Sequence, residues 1–359
     1  MEPEVKRKIQ LVRDMLASQG YDGVMVELQE NLAWLTGGRF FINVAAQSGS
    51  GTIWIGLVQV ELIASNIEGE RLWREERAGA ICDCLRLYPW HAEGERTKIL
   101  ASLSEGLKVT DDRRLAADFL QLRIRLSVEE QERYAVLGKL AGEAVGSVAK
   151  EFEPGETEYQ VAARLARASM ERGMEPIVCL VGADKRARAY RHPLPTNHVI
   201  HHYALLVLSA RKWGLVASVS RAVHFGKIPP DLISKQQAVI TVDAAFLAES
   251  RPGATLGEVF LAGTDAYARL GFPNEWEYHH QGGLTGYQSR EIKATAQTPL
   301  VISTGHAIAW NPTIQGAKSE DTVLVTPNGL QIITSTGNFP SQRVKVGDLE
   351  FDRPLILER

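Results

Sequence analysis

Three cysteines in 359 residues are too few for a disulfide framework. Cys82 and Cys84 stand too close for an ordinary bridge, so these thiols are expected to be reduced, as in a cytoplasmic protein. Long apolar runs are also missing. None approaches the roughly 20 residues that span a bilayer, which excludes a membrane-spanning reading. The N-terminal stretch, MEPEVKRKIQLVRDMLASQG, has no uninterrupted apolar region and so does not read as a secretory signal. It reads as an amphipathic helix with Ile9, Val12, Met15 and Leu16 on one face. No block of basic residues exists and the formal charge is −3, which argues against nucleic acid or an anionic membrane as partner. What is there is ordinary globular material. A hydrophobic share of 45% with 23% charged residues is enough to bury a core, over a length that suggests two domains or one large one.

Residues 1–125 alternate helical and strand patterns and predict a small α/β domain. YDGVMVEL reads as a buried strand, ENLAWLTGG as a short helix stopped by glycines, and GTIWIGLVQVELIAS as a hairpin. A change follows at residue 126. A long helix over SVEEQERYAVLGKLAGEAVGSVAKEF begins with a Ser127/Glu130 capping-box signature. A second helix is expected with Thr157 as N-cap and Gly173 as its stop. Two further helices and several mostly antiparallel strands make residues 126–359 an α+β domain. FEPGETEYQVAARLARASMERG and SRPGATLGEVFLAGTDAYARLG share Pro-Gly-x-Thr before a helix that ends at glycine. That hint of duplication predicts a pseudo-two-fold fold with a site between the halves.

The stretch with most chemistry is YHHQGGLTGYQSRE, where His279 and His280 precede two glycines and an Arg290-Glu291 pair. Neutral imidazoles are common metal ligands, so the pair raises the question of a metal site. The double glycine suggests close approach to a ligand or to another strand.

NLAWLTG, LRIRLSVEEQERY, PGETEYQVAARL, RPGAT and SEDTVLVTPNGLQIIT occur in an order that resembles the creatinase, aminopeptidase P and prolidase family. The resemblance runs from about Arg13 to Thr334. It implies a C-terminal pita-bread domain preceded by a creatinase-like N-terminal domain. It also implies a homodimer, and a small-molecule or short-peptide substrate. The peptidase members hold two divalent metal ions, such as Mn or Co, with two aspartates, a histidine and two glutamates. By this resemblance the aspartate positions fall on Val207 and Ser218, the histidine on His280 or, as a poorer match, His279, and the glutamates on Asn311 and Glu320. One imidazole and one carboxylate remain. Such a set lacks the negative charge that holds hard cations, so no metal is expected.

Creatinase implies a metal-free route on the same fold, with a histidine that matches His192 in RAYRHPLP acting as general acid/base. The expectation is therefore a metal-independent hydrolase or lyase. It would cleave a C–N bond in a small amino-acid-like or amidino substrate. Catalysis is assigned to His192, His280 and Glu320. Substrate contacts are expected at Arg221, Tyr287, Arg290, Glu291, Asn311 and Ser218, with an arginine clamping a carboxylate. His279 is expected in packing behind the site. Asp184, Arg186 and Arg188 read as a solvated loop. Two other readings stay open: a metal-dependent Xaa-Pro aminopeptidase or dipeptidase, and a non-catalytic binding protein on the same scaffold.

Overall fold

The computed structural model describes residues 3–359, in two compact units divided between Glu129 and Glu130. No described helix is long and apolar enough to cross a membrane, and the three cysteines are free thiols.

In the first unit the helix Pro3–Gln19 buries Val5, Ile9, Val12 and Leu16, the stripe that a 3.6-residue period requires. Five strands form one mixed sheet: β1 (Gly23–Leu28), β2 (Ser48–Gly56), β3 (Val60–Ser65), β4 (Cys84–Tyr88) and β5 (Val109–Asp111), in the order β4-β3-β2-β1-β5. The short helix Gln29–Thr36 ends at Gly37 in the left-handed region, as the glycines predict. Asn31 in that helix is fully buried, donating to Asp112 at 2.9 Å and accepting from Arg123 at 2.9 Å.

The second unit is α+β and internally duplicated. Its first half is the helix Val128–Glu151, the helix Glu158–Glu171, and strands β6 (Glu175–Ala183), β7 (Tyr203–Lys212) and β8 (Leu215–His224). Its second half repeats this order. The helices are Pro230–Glu249 and Leu256–Arg269, and the strands are β9 (Gly282–Thr285), the short β10 (Ile292–Lys293), β11 (Ala307–Trp310), the small hairpin of β12 (Thr313–Ile314) and β13 (Ala317–Lys318), β14 (Asp321–Thr326) and β15 (Gly329–Ile332). The predicted duplication is present down to single hydrogen bonds. Thr157 and Thr255 both cap their helices through capping boxes, with Gln160 and Glu258 as reciprocal partners. Gly155 donates to Ile200 and Gly253 to Ile302, while Glu158 donates to His198 and Leu256 to Leu300.

Gly282 and Gly283 have φ of 114° and 140°. A Cβ at Gly282 would lie 2.2 Å from the Ala309 carbonyl oxygen, and one at Gly283 would lie 2.1 Å from that of Ile292. Of the two causes left open by the sequence, the crowding comes from neighbouring strands, and both positions admit only glycine. A second set of glycines went unread: Gly138, Gly142 and Gly146 bring the first long helix against the chain at Ile333, Ser335 and Thr336.

Beyond Thr334 the sequence extends the second domain without naming an element. The structure adds a hairpin, β16 (Ser341–Val346) with β17 (Leu349–Pro354), and β18 (Ile356–Glu358), which pairs parallel with β8. From β17, Arg353 enters the core fully buried. Its guanidinium lies 2.6 Å from Asp243 and 2.7 Å from Asp321. Arg221 holds the other oxygen of Asp321 at 2.8 Å. Two arginines and two aspartates thus alternate without an uncompensated charge. Removing Arg353 leaves buried Asp243 without a cation, which costs several kcal/mol. Arg353→Met is therefore expected to destabilise the fold by about 3–5 kcal/mol in urea unfolding, whereas a loss under about 1 kcal/mol would show the network to be dispensable.

Candidate functional site

The site is built where the two halves of the second unit meet. On β8, Ser218 and Ser220 lie two residues apart and so share a face; on β7 their cross-strand partners are Ser209 and Val207. An isolated bridge joins Ser220 to Glu320, with the Ser220 N–H donating to the Glu320 carbonyl at 3.2 Å. At the matching end of the other sheet, Asn311 follows β11 and donates its backbone N–H to Gln281, which precedes β9. His280, Asn311 and Glu320 are thereby brought to one sheet end.

Glu320 is the centre of charge. Its Oε2 accepts from the Ser220 hydroxyl at 2.6 Å and lies 2.9 Å from Lys318 Nζ. Its Oε1 accepts from Arg290 Nη2 at 3.0 Å. All three charged side chains are buried, with 8% exposure for Arg290, 2% for Lys318 and 4% for Glu320. Burial alone would raise the Glu320 pKa. The cations Lys318 and Arg290 and the Ser220 hydroxyl outweigh it and hold the carboxyl at about 2.

Beside this triad lie His192, His279 and His280. His192 Nε2 and His279 Nε2 are 3.0 Å apart, and His279 and His280 have ring centroids 4.7 Å apart. The ion pair of Arg191 with Glu275 fixes the loop that carries His192 to the turn before the other two. Gln281 fixes that turn by donating to the Trp276 carbonyl at 3.2 Å and accepting from the Tyr267 hydroxyl at 2.9 Å. Burial, then the charge of Lys318, pushes the His279 pKa down to about 2. Burial and Arg290 hold His280 at about 4, and burial with Lys318 lowers His192. All three imidazoles are therefore neutral at neutral pH. Four buried polar atoms here have no hydrogen-bond partner: His279 Nδ1, His280 Nδ1, Arg290 Nε and Asn311 Oδ1. Buried polar atoms are normally paired, so this clustering marks a place built for a ligand.

The expected catalytic residues His192, His280 and Glu320 are brought together, with Arg290 and Asn311. His279, expected in packing behind the site, stands in the imidazole cluster itself. Four residues expected to contact substrate are bonded within the protein. Arg221 spends its Nε on Thr336, Nη1 on the carbonyls of Ser220 and Glu320, and Nη2 on Asp321 and Thr334. Those bonds use all five donors of a guanidinium. Ser218 is held by Ser209 at 2.9 Å between the hydroxyls. The Tyr287 hydroxyl donates to Glu130 at 2.6 Å. Glu291 accepts from the Tyr287 N–H at 3.0 Å and so staples its own turn. The supposed solvated loop is corrected as well: Asp184 accepts from the N–H groups of His201, His202 and Tyr203, and Arg186 pairs with buried Glu158 at 3.0 Å. Lys318 and Ser220 were missed. The signal was present in the alternation of an extended chain, which puts Lys318 on the face of Glu320 and Ser220 on that of Ser218.

Residues 132–327 match metallopeptidase family M24. The chain belongs to that family. A protein from Rhizobium rhizogenes called agropine synthesis cyclase is 30% identical over 169 residues, 43% of this chain and 41% of that protein. The matched stretch thus spans less than half of that relative's length. An Xaa-Pro dipeptidase from Pyrococcus horikoshii is 21% identical over 350 residues, covering 92% of this chain and 98% of that one. Among solved structures, an Xaa-Pro dipeptidase from Bacillus anthracis superimposes with a TM-score of 0.78 at 16% identity, covering 99% of this chain and 100% of that one. The fold is that of the prolidases.

The two-metal centre implied by the family does not fit the residues present. Val207 has no donor atom, Ser218 is bonded to Ser209, and Asn311 is uncharged. Glu320 is already balanced by two cationic side chains. Among the described residues one group has three metal-ligating donors close together, His192, His279 and His280 within 4.8 Å, and it contains no carboxylate.

The depressed pKa values predict an acid-labile fold. Unfolded, His279 and His280 take protons near 6.5; folded, they do so only near 2 and 4. The unfolded state binds more protons in that window, so stability is full above 6.5 and falls as pH drops through it. Glu320 adds a further loss from 4.5 down to about 2. Urea unfolding between pH 8 and 4 should show this slope, and His279→Gln should flatten it; an unchanged slope would remove His279 as its source.

Proposed function

We propose that this M24 chain is a metal-independent enzyme that cleaves a C–N bond in a small amino-acid-like or amidino substrate, with His192 as general acid/base. The observation that carries this reading is the pairing of Glu320 with Lys318 and Arg290 beside three neutral imidazoles. Two side-chain cations stand on the one acidic side chain left at the family's ligand positions.

In this reading the neutral His192 ring takes a proton from water as the water oxygen bonds to the electrophilic carbon. The same proton then passes to the departing nitrogen as the C–N bond breaks. His279, in contact with His192 at 3.0 Å, fixes the ring and its tautomer. His280 and Asn311 offer polar atoms without partners to orient water and substrate. His192 is the most exposed of the three, as suits a group that meets substrate.

The cyclase relative favours a second reading, in which a nucleophile within the substrate replaces water and the same histidine takes its proton. The full-length match to an Xaa-Pro dipeptidase makes short peptides the first substrates to try.

Chelator-treated protein should be assayed on Xaa-Pro dipeptides, creatine and N-acyl amino acids. Turnover is expected to survive chelation, and His192→Gln should lower kcat by about 10²- to 10⁴-fold. The acid limb of the pH profile is expected below 6.5, because burial and Lys318 lower the His192 pKa. Activity that appears only on adding Mn or Co, in proportion to bound metal, would overturn the proposal.

A further inference from the structure

Lys318 and Arg290 are both buried, and both point their charge at one carboxylate. Glu320 balances one of them. A second positive charge remains inside a site whose other acid positions have become Val207, Ser218 and Asn311, and whose imidazoles are neutral. Lys293 adds to the same field, acting on His192 and His280. An uncompensated buried charge costs several kcal/mol, so a fold that keeps one has a counter-charge to meet. Arg290 also keeps a donor in hand: Nη1 is on the Ser289 carbonyl at 2.6 Å and Nη2 on Glu320 at 3.0 Å, but buried Nε has no partner.

We propose that Lys318 and Arg290, on either side of Glu320, form an anion cradle that takes the carboxylate of a small monocarboxylate ligand. The place at which the family's peptidases gather acidic side chains around cations has changed sign: here the protein supplies the cations and the ligand supplies the negative charge. Glu320 stands between the Lys318 ammonium and the Arg290 fork, at 2.9 and 3.0 Å from its two oxygens, and competes with the ligand for their charge. The cradle rests on the reading of the site as free of a dinuclear metal centre. It identifies the substrate class as carboxylate-bearing and adds Lys318 to the site.

The test is binding, at constant ionic strength in chloride, of acetate, L-proline and prolinamide to the full chain by calorimetry and thermal shift. Acetate and L-proline should bind and raise Tm, while prolinamide, which lacks the carboxylate, should not. Lys318→Met should weaken L-proline at least about tenfold, because one charge of the pair is gone. Arg290 still neutralises Glu320 in that variant, so the buried pair stays balanced. Glu320→Gln removes the competing anion and should tighten L-proline by about tenfold. This gain separates a cradle from a structural ion pair even if Lys318→Met fails to fold. Equal response to L-proline and prolinamide, no response beyond chloride, or weaker binding in Glu320→Gln would each overturn the cradle. None of these readouts needs turnover. A failure of the proposed C–N chemistry would therefore not be mistaken for a failure of anion binding.

Discussion

A buried carboxylate has to be balanced, and the site follows from how Glu320 meets that demand. It does so with Lys318, Arg290 and the Ser220 hydroxyl, all from the protein. The field of those cations, added to burial, keeps the neighbouring imidazoles neutral. The next residue turns the opposite way, as alternation in a strand requires. Asp321 faces the core, where Arg221 and Arg353 hold it between them. Two adjacent acids therefore organise two networks, Glu320 the site and Asp321 the scaffold beneath it. The carboxylate that centres the site is as firmly placed as the core.

The architecture was largely legible in the sequence because it rests on local signals. Thr157 and Thr255 cap helices wherever Pro-Gly-x-Thr stands, and the spacing of Ile9, Val12 and Leu16 allows only one buried face. The C-terminal hairpin was not legible. SQRVKVGDLEFDRP is mostly exposed and polar, and its one deeply buried charge, Arg353, finds its partners 32 and 110 residues earlier in the chain. Such long-range pairings leave no periodic trace.

The site was half legible. The places of Val207, Ser218 and Asn311 along the family motifs could be read from the sequence, and His192, His280 and Glu320 do converge. Partner choice could not be read. Arg221 and Arg290 are alike in sequence, yet one has all its donors taken by the scaffold and the other keeps a free Nε. Which arginine serves a ligand is decided by what surrounds it in three dimensions. Lys318 was overlooked because a lysine beside a surviving acid reads as a surface pair until burial shows otherwise.

The central claim is that side-chain cations, not metal ions, balance Glu320. A crystal structure of protein purified and soaked with Mn²⁺, with anomalous data collected near the Mn edge, addresses it directly. The account predicts Lys318 Nζ and Arg290 Nη2 in density within hydrogen-bond distance of Glu320 and no anomalous peak at its carboxylate. An anomalous peak in coordination distance of Glu320, with Lys318 displaced from it, would contradict the account.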